Sequence, residues 1–161
     1  SSMKPAARIA VPLVAVAALA GCAHSPSTAA IVGDKVISEA ELTEAVDSCR
    51  RVNPKIKRLD VLFPLILGEL SDEVSPKLGR TIDAARLRAA MEADPDASRT
   101  LGTSCQKVVE GELKMRYLQD SAGVAAILRE LPHVEINPRY GTWSSRGIDP
   151  RGGSISVEAK S

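Results

Sequence analysis

The chain has 161 residues, 21 basic and 20 acidic side chains for a formal charge of +1, and only one Phe, one Trp and two Tyr. That length supports a single core, and the charge balance excludes a whole-chain case for nucleic-acid binding. A core of Ala, Val, Leu and Ile with so few aromatics points to helices.

Ser1-Ser2 precede Met3 and are set apart from the fold. Lys4 and Arg8 form a positive n-region, and Ile9 to Leu19 an apolar run too short to span a bilayer. Leu19-Ala20-Gly21-Cys22 then resembles the lipobox of bacterial lipoproteins, which implies removal of residues 1–21 and lipid on Cys22. The mature protein would be anchored to the extracytoplasmic face of a bacterial membrane, not threaded through it. An ordinary secretory signal that happens to precede a cysteine is the alternative. Residues 22–30 are a polar tether. His24 would be third from the processed terminus, a Cu(II)-binding position that acylation of the amine abolishes, so it reads as a solvated histidine.

From residue 31 the pattern becomes that of a folded domain. Ala30-Ile31-Val32 and Lys35-Val36-Ile37 flank Gly33-Asp34, which predicts a two-residue hairpin because Gly accepts φ > 0. Ser38 and Glu41 have the spacing of a capping box, so a helix should follow at once, over about Glu39–Val52. Leu42, Ala45, Val46, Cys49 and Val52 form its apolar stripe. Arg50, Arg51, Lys55, Lys57 and Arg58 follow as a basic cluster, either a solvated helix end or a contact for anionic headgroups.

Asp60 is the expected cap of a second helix that tolerates Pro64 near the end of its first turn. Its residues Val61, Leu62, Phe63, Leu65, Ile66 and Leu67 are apolar all round. Such a segment is either a central core helix or a surface that presents apolar side chains to a peptide. Thr81 is the expected cap of a short third helix ending at Asp94-Pro95-Asp96. A longer helix should start near Thr103 or Ser104, with Cys105, Val109, Leu113 and Tyr117 in an i+4 row beside Val108. Val124, Ile127, Leu128 and Leu131 continue the helical stripe until Pro132 stops it.

After Pro132 the period changes to two: Val134, Ile136, Tyr140 and Thr142 alternate with polar residues or Gly, interrupted by Pro138. A proline belongs on an edge, so this reads as a third strand beside the opening hairpin. Residues 144–161, rich in Gly, Ser, Arg and Pro, read as a flexible tail. The expected fold is therefore mostly α, with four to five helices and a small sheet made by the N-terminal hairpin and a C-terminal strand.

Val32-Gly33, Ile37 and Glu41-Leu42 resemble the "V-N-G-x-x-I-s-x-x-E-L" opening of the SurA-like N-terminal domain, shared by the extracytoplasmic foldases SurA and PrsA. Val134 to Gly141 resembles the "V-x-V-N-P-R-Y-G" segment that closes actinobacterial SurA-like lipoproteins. The resemblance covers residues 31–143 and is specific only at the two ends. It implies contact with unfolded or extended secreted polypeptides. Those foldases carry a parvulin-type isomerase domain after this module, for which this chain leaves no room, so isomerase activity is not implied.

Catalytic machinery is not evident either. No G-x-S-x-G, C-x-x-C, H-E-x-x-H or P-loop occurs, and Asp72-Glu73 and Asp94/Asp96 read as solvated turn acids. No enzyme, metal or cofactor is expected. With Cys22 lipidated, Cys49 and Cys105 remain on inward faces of separate helices outside the cytoplasm; a disulfide is the reading preferred over two free buried thiols. The functional expectation is a lipid-anchored chaperone or foldase accessory. Its rival is a structural lipoprotein that holds one envelope partner.

Overall fold

The computed structural model describes residues 25–151. The signal segment, Cys22, His24 and residues 152–161 lie outside the described residues. β1 (Thr28–Val32) and β2 (Lys35–Ser38) pair antiparallel, with Val32 opposite Lys35. Gly33 makes this turn possible at φ +59, a region where a side chain would be strained. Its N–H donates to the His133 carbonyl at 2.8 Å, so the far end of the chain holds the turn.

α1 (Glu39–Arg50) starts where Ser38 Oγ accepts from Glu41 N–H at 3.0 Å. The reciprocal half of the capping box is not made, because the Glu41 carboxylate instead meets Lys107 Nζ at 3.0 Å. Leu42, Ala45, Val46 and Cys49 are buried, as their spacing predicts. α2 (Arg58–Lys77) begins two residues before its expected cap. Asp60 sits inside the first turn, where its carboxylate accepts from Lys57 N–H at 2.9 Å.

α2 is the hub of the fold. It packs on α1 and the sheet on one side and on α5 on the other. α3 (Ala84–Ala93) is capped by Asp83, whose Oδ1 accepts from Ala85 N–H at 2.9 Å, and not by Thr81. A single turn, α4 (Pro95–Ser98), leads to α5 (Gln106–Ala122), and Gly123 at φ +85 separates that from α6 (Val124–Glu130). Cys49 and Cys105 form a disulfide with Cα atoms 5.0 Å apart, tying the end of α1 to the start of α5.

β3 (Val134–Ile136) pairs antiparallel with β1, giving the sheet order β2-β1-β3. The fold is thus mostly α, with six helices among the described residues and a small sheet in which the N-terminal hairpin is joined by a strand near the C-terminal end of the domain. The closing segment then departs from simple alternation. A 3-10 turn at Pro138–Tyr140 leads into β4 (Thr142–Ser144), which pairs with β5 (Gly147–Asp149). The segment expected to be tail from residue 144 is therefore regular hairpin as far as Asp149. Its physical reason is a partly buried apolar pair, Trp143 and Ile148, placed opposite each other.

The five residues Asn137 to Gly141 close the domain. Asn137 Nδ2 donates to the Thr28 carbonyl at 2.9 Å and the Ser25 carbonyl at 3.2 Å, while its Oδ1 accepts from Arg139 N–H at 3.1 Å. Tyr140 Oη donates to the Glu39 carboxylate at 2.7 Å and accepts from Arg58 Nε at 2.9 Å. Gly141, at φ +109, lies against the Asp149 carbonyl where a Cβ would overlap it. One short segment thereby fixes the first strand, the starts of α1 and α2, and the second hairpin.

Candidate functional site

An open groove of about 550 Å³ runs between α2, α5, α6 and the β4–β5 turn. Each helix supplies it by the same periodicity. α2 contributes Phe63, Leu67 and Leu70, which recur at i, i+4, i+7. α6 contributes Val124, Ile127 and Leu128, with Leu131 just beyond its end. From α5 come Met115 in the floor and Glu112, Arg116 and Gln119 along the mouth. Trp143 closes one end, its ring centroid 5.9 Å from that of Phe63 and tilted by 39°. The β4–β5 turn buttresses this contact, since Gly147 lies over the Phe63 ring.

The floor is buried and the lip is not. Ile127 is 4% exposed, whereas Val124 and Leu128 are 54% and 47% exposed. A seven-residue helix flanked by Gly123 and Pro132 has too few neighbours to cover an apolar stripe of that length. The lip therefore leaves apolar surface in water beside a concave floor, the usual form of a binding site.

Three ionisable side chains line the groove: Glu112, Arg116 and Arg146. Partial burial pushes the Glu112 carboxyl above the usual carboxylate range, and the charge of Arg116, one helical turn away, partly offsets that shift. Among the described residues neither Arg116 nor Arg146 forms an ion pair. The site thus joins an apolar floor to two uncommitted guanidinium groups.

The candidate peptide-binding residues of α2 divide between two roles. Val61, Leu62, Leu65 and Ile66 are at most 3% exposed and belong to the core, so of the two alternatives, core helix or binding surface, these four candidates take the first. The cause is the central position of α2, covered from two sides. Only Phe63 and Leu67 reach the groove. The rest of the site comes from residues whose signal was weak. Val124 to Leu131 showed a stripe without any hint that half of it is uncovered. Arg116 and Arg146 are far apart in sequence, and only the fold brings them to one rim.

The cysteine pair is bonded as expected, and Cys49 and Cys105 are 2% and 4% exposed. The basic cluster after α1 disperses. Arg58 turns inward to Glu39 Oε2 at 2.6 Å, while Arg50, Arg51, Lys55 and Lys57 are exposed. Among the described residues no group of three His, Cys, Asp or Glu is placed to hold a metal ion. No described helix is long and apolar enough to cross a membrane.

These features define a class: an α-helical domain closed by its own chain ends and carrying an open, partly cationic apolar groove. No family model, no curated protein and no solved structure matches the chain, so the chemistry of the groove rests on its own residues.

Proposed function

We propose that this domain binds extended segments of unfolded secreted polypeptide in the groove at Phe63, Leu67 and Leu128, without prolyl isomerase activity. In this reading it acts at the extracytoplasmic face of a bacterial membrane, held there by lipid on Cys22. The observation that carries it is the exposed apolar lip of Val124 and Leu128 above a preformed floor. An open groove leaves one side of its occupant in water, which suits a polypeptide whose main chain stays solvated. Gln119 and Ser145 at the mouth supply polar groups for that main chain. The resemblance of both chain ends to SurA-like domains points the same way.

The purified protein should slow aggregation of a denatured test protein and leave cis/trans relaxation of a prolyl peptide unchanged. Val124→Glu with Leu128→Glu, both at exposed positions, should abolish the protection while the protein stays folded. Cys22→Ala should release the protein from the membrane fraction of a bacterial host. Isomerase activity, or no effect on aggregation at stoichiometric excess, would overturn the reading.

The rival, a lipoprotein that holds one envelope partner, is favoured by one observation. Burial of Val61, Leu62, Leu65 and Ile66 makes the available apolar surface small and fixed in shape. It predicts tight capture of a single folded protein and no protection of unrelated clients.

A further inference from the structure

We infer that the groove selects polypeptide segments in which apolar side chains stand beside a carboxylate, with Arg116 and Arg146 reading the charge. The inference rests on the proposed peptide-binding role and adds a rule of selection to it. Arg116 lies on α5 and Arg146 in the turn between β4 and β5, so two separate elements bring like charges to one apolar cavity. Like charges in excess of their counter-charges raise the energy of the empty site and lower that of an anionic occupant. Glu112 alone opposes them, and Arg116 is only one turn away from it. At neutral pH the groove keeps an excess of positive charge.

Several other basic residues are paired within the protein, whereas Arg50, Arg51, Lys55 and Lys57 stand exposed away from the apolar cavity. Arg58 and Arg139 meet Glu39, Lys107 meets Glu41 and Glu69, and Lys114 meets Asp72. Arg88 pairs with Glu92 on its own helix. Against that background the two groove arginines are distinguished by having an apolar cavity, and no acid within ion-pair distance, beside them. Their guanidinium planes suit bidentate contact with a carboxylate better than a lysine would. Apolar floor and cationic rim together fit a segment carrying Leu, Phe or Val next to Asp or Glu.

Trp143 provides the readout. It is the sole tryptophan of the chain and forms the end wall of the groove, so its fluorescence reports occupancy directly. Three peptides without tryptophan would be titrated, sharing one apolar sequence flanked by Glu, Gln or Lys. Exposed ion pairs are individually weak, so the Glu peptide should bind about three- to ten-fold tighter than the Gln peptide at low salt, and the Lys peptide more weakly still. The preference should shrink in high salt, vanish in Arg116→Gln/Arg146→Gln and invert in Arg116→Glu/Arg146→Glu. Affinity for the neutral peptide should stay level throughout. Both arginines are exposed, and circular dichroism of each variant checks its fold. The peptide series in the unaltered protein tests the inference even if a variant fails to fold.

Equal affinity for all three peptides would overturn the charge rule and leave the proposed function standing. Failure of every peptide to shift Trp143 would overturn the function itself. Two further results would overturn the inference by naming another occupant. One is a stronger response to laurate than to any peptide, the mark of an acyl-chain site. The other is a dimer in sedimentation that the Val124→Glu/Leu128→Glu variant abolishes, the mark of a second copy in the groove.

Discussion

Gly111 and Pro64 touch main chain to main chain where α5 crosses α2: a Cβ on Gly111 would overlap the Pro64 carbonyl. Proline in a helix leaves the carbonyl four residues before it, here that of Asp60, without its main-chain donor. The carbonyl that meets Gly111 is Pro64's own, and only a residue without a side chain lets the two helices approach so closely. Gly68 shares the crossing, with space for a Cβ only 3.3 Å from Gly111 Cα. Gly111→Ala should therefore destabilise the protein by about 3 kcal/mol, at the upper end for overpacking, because neither neighbour is a side chain that can rotate away. Gly68→Ala should cost less, about 1 kcal/mol. Urea unfolding midpoints of the two variants check both the size and the order.

The disulfide closes a loop with a sequence separation of 56 residues. In the chain-entropy account such a loop contributes about 4 kcal/mol by restricting the unfolded chain. Cys49→Ala/Cys105→Ala should lower the stability by about that amount, and its buried position should make reduction of the native protein slow. Denaturant titrations of the oxidised protein and the double variant, each without reductant, measure the difference.

The sequence was most informative where a local rule and the tertiary structure agree. Gly33-Asp34, Ser38 and the stripe Leu42 to Cys49 each express one element's own preference. α5 shows the opposite case. Of the expected inner row Cys105, Val109, Leu113 and Tyr117 beside Val108, Cys105 and Val108 are buried and the other three only half-buried, while Gly111, Met115 and Leu118 complete the buried face. A hydrophobic period cannot register Gly111, whose value at the interface is the absence of a side chain. The groove was legible only at Phe63 and Leu67, because a site between three helices and a turn has no contiguous signature. The hairpin after Gly141 is hidden in the sequence for a similar reason: the Gly, Ser and Arg of residues 144–147 are hairpin-turn residues, and two apolar partners suffice to pair the strands. Cutting the chain after Ser144, which should cost little if all that follows were flexible tail, should instead lower the melting temperature, since it removes Ile148 and frees Phe63 and Trp143. A cut before Val134 should cost more, because β1 then loses a partner strand.

Tyr140 joins Glu39 and Arg58 through one hydroxyl, bonded to both in a partly buried setting. Tyr140→Phe would leave two charged groups without that partner and should cost about 1–3 kcal/mol. Burial, with the nearby Glu39 carboxylate, raises the Tyr140 pKa above 10.0 despite the opposing effect of Arg58. The folded state then holds the phenolic proton more tightly than the unfolded state. Its contribution to stability is complete below the unfolded pKa and is lost as pH rises through the folded one. Stability should fall above about pH 10, and part of that fall should disappear in Tyr140→Phe, as thermal melts from pH 8 to 11 would record.

Glu112 gives the corresponding prediction on the acid side. Partial desolvation at the mouth of the groove lifts its pKa above 4.5, and Arg116 reduces the shift without cancelling it. Because the folded protein binds this proton more tightly, the group's contribution is present below the unfolded pKa and lost as pH rises through the folded one. At neutral pH the ionised carboxylate is thus a small liability that the fold retains at the mouth of its groove. Glu112→Gln keeps the shape and removes the charge, so it should raise the melting temperature at pH 7 and flatten the stability profile just above pH 4.5. The same change should tighten binding of the Glu-flanked peptide, since Arg116 and Arg146 would face no opposing acid. A lower melting temperature at pH 7, or an unaltered profile over that window, would show that Glu112 is stabilised in its charged form.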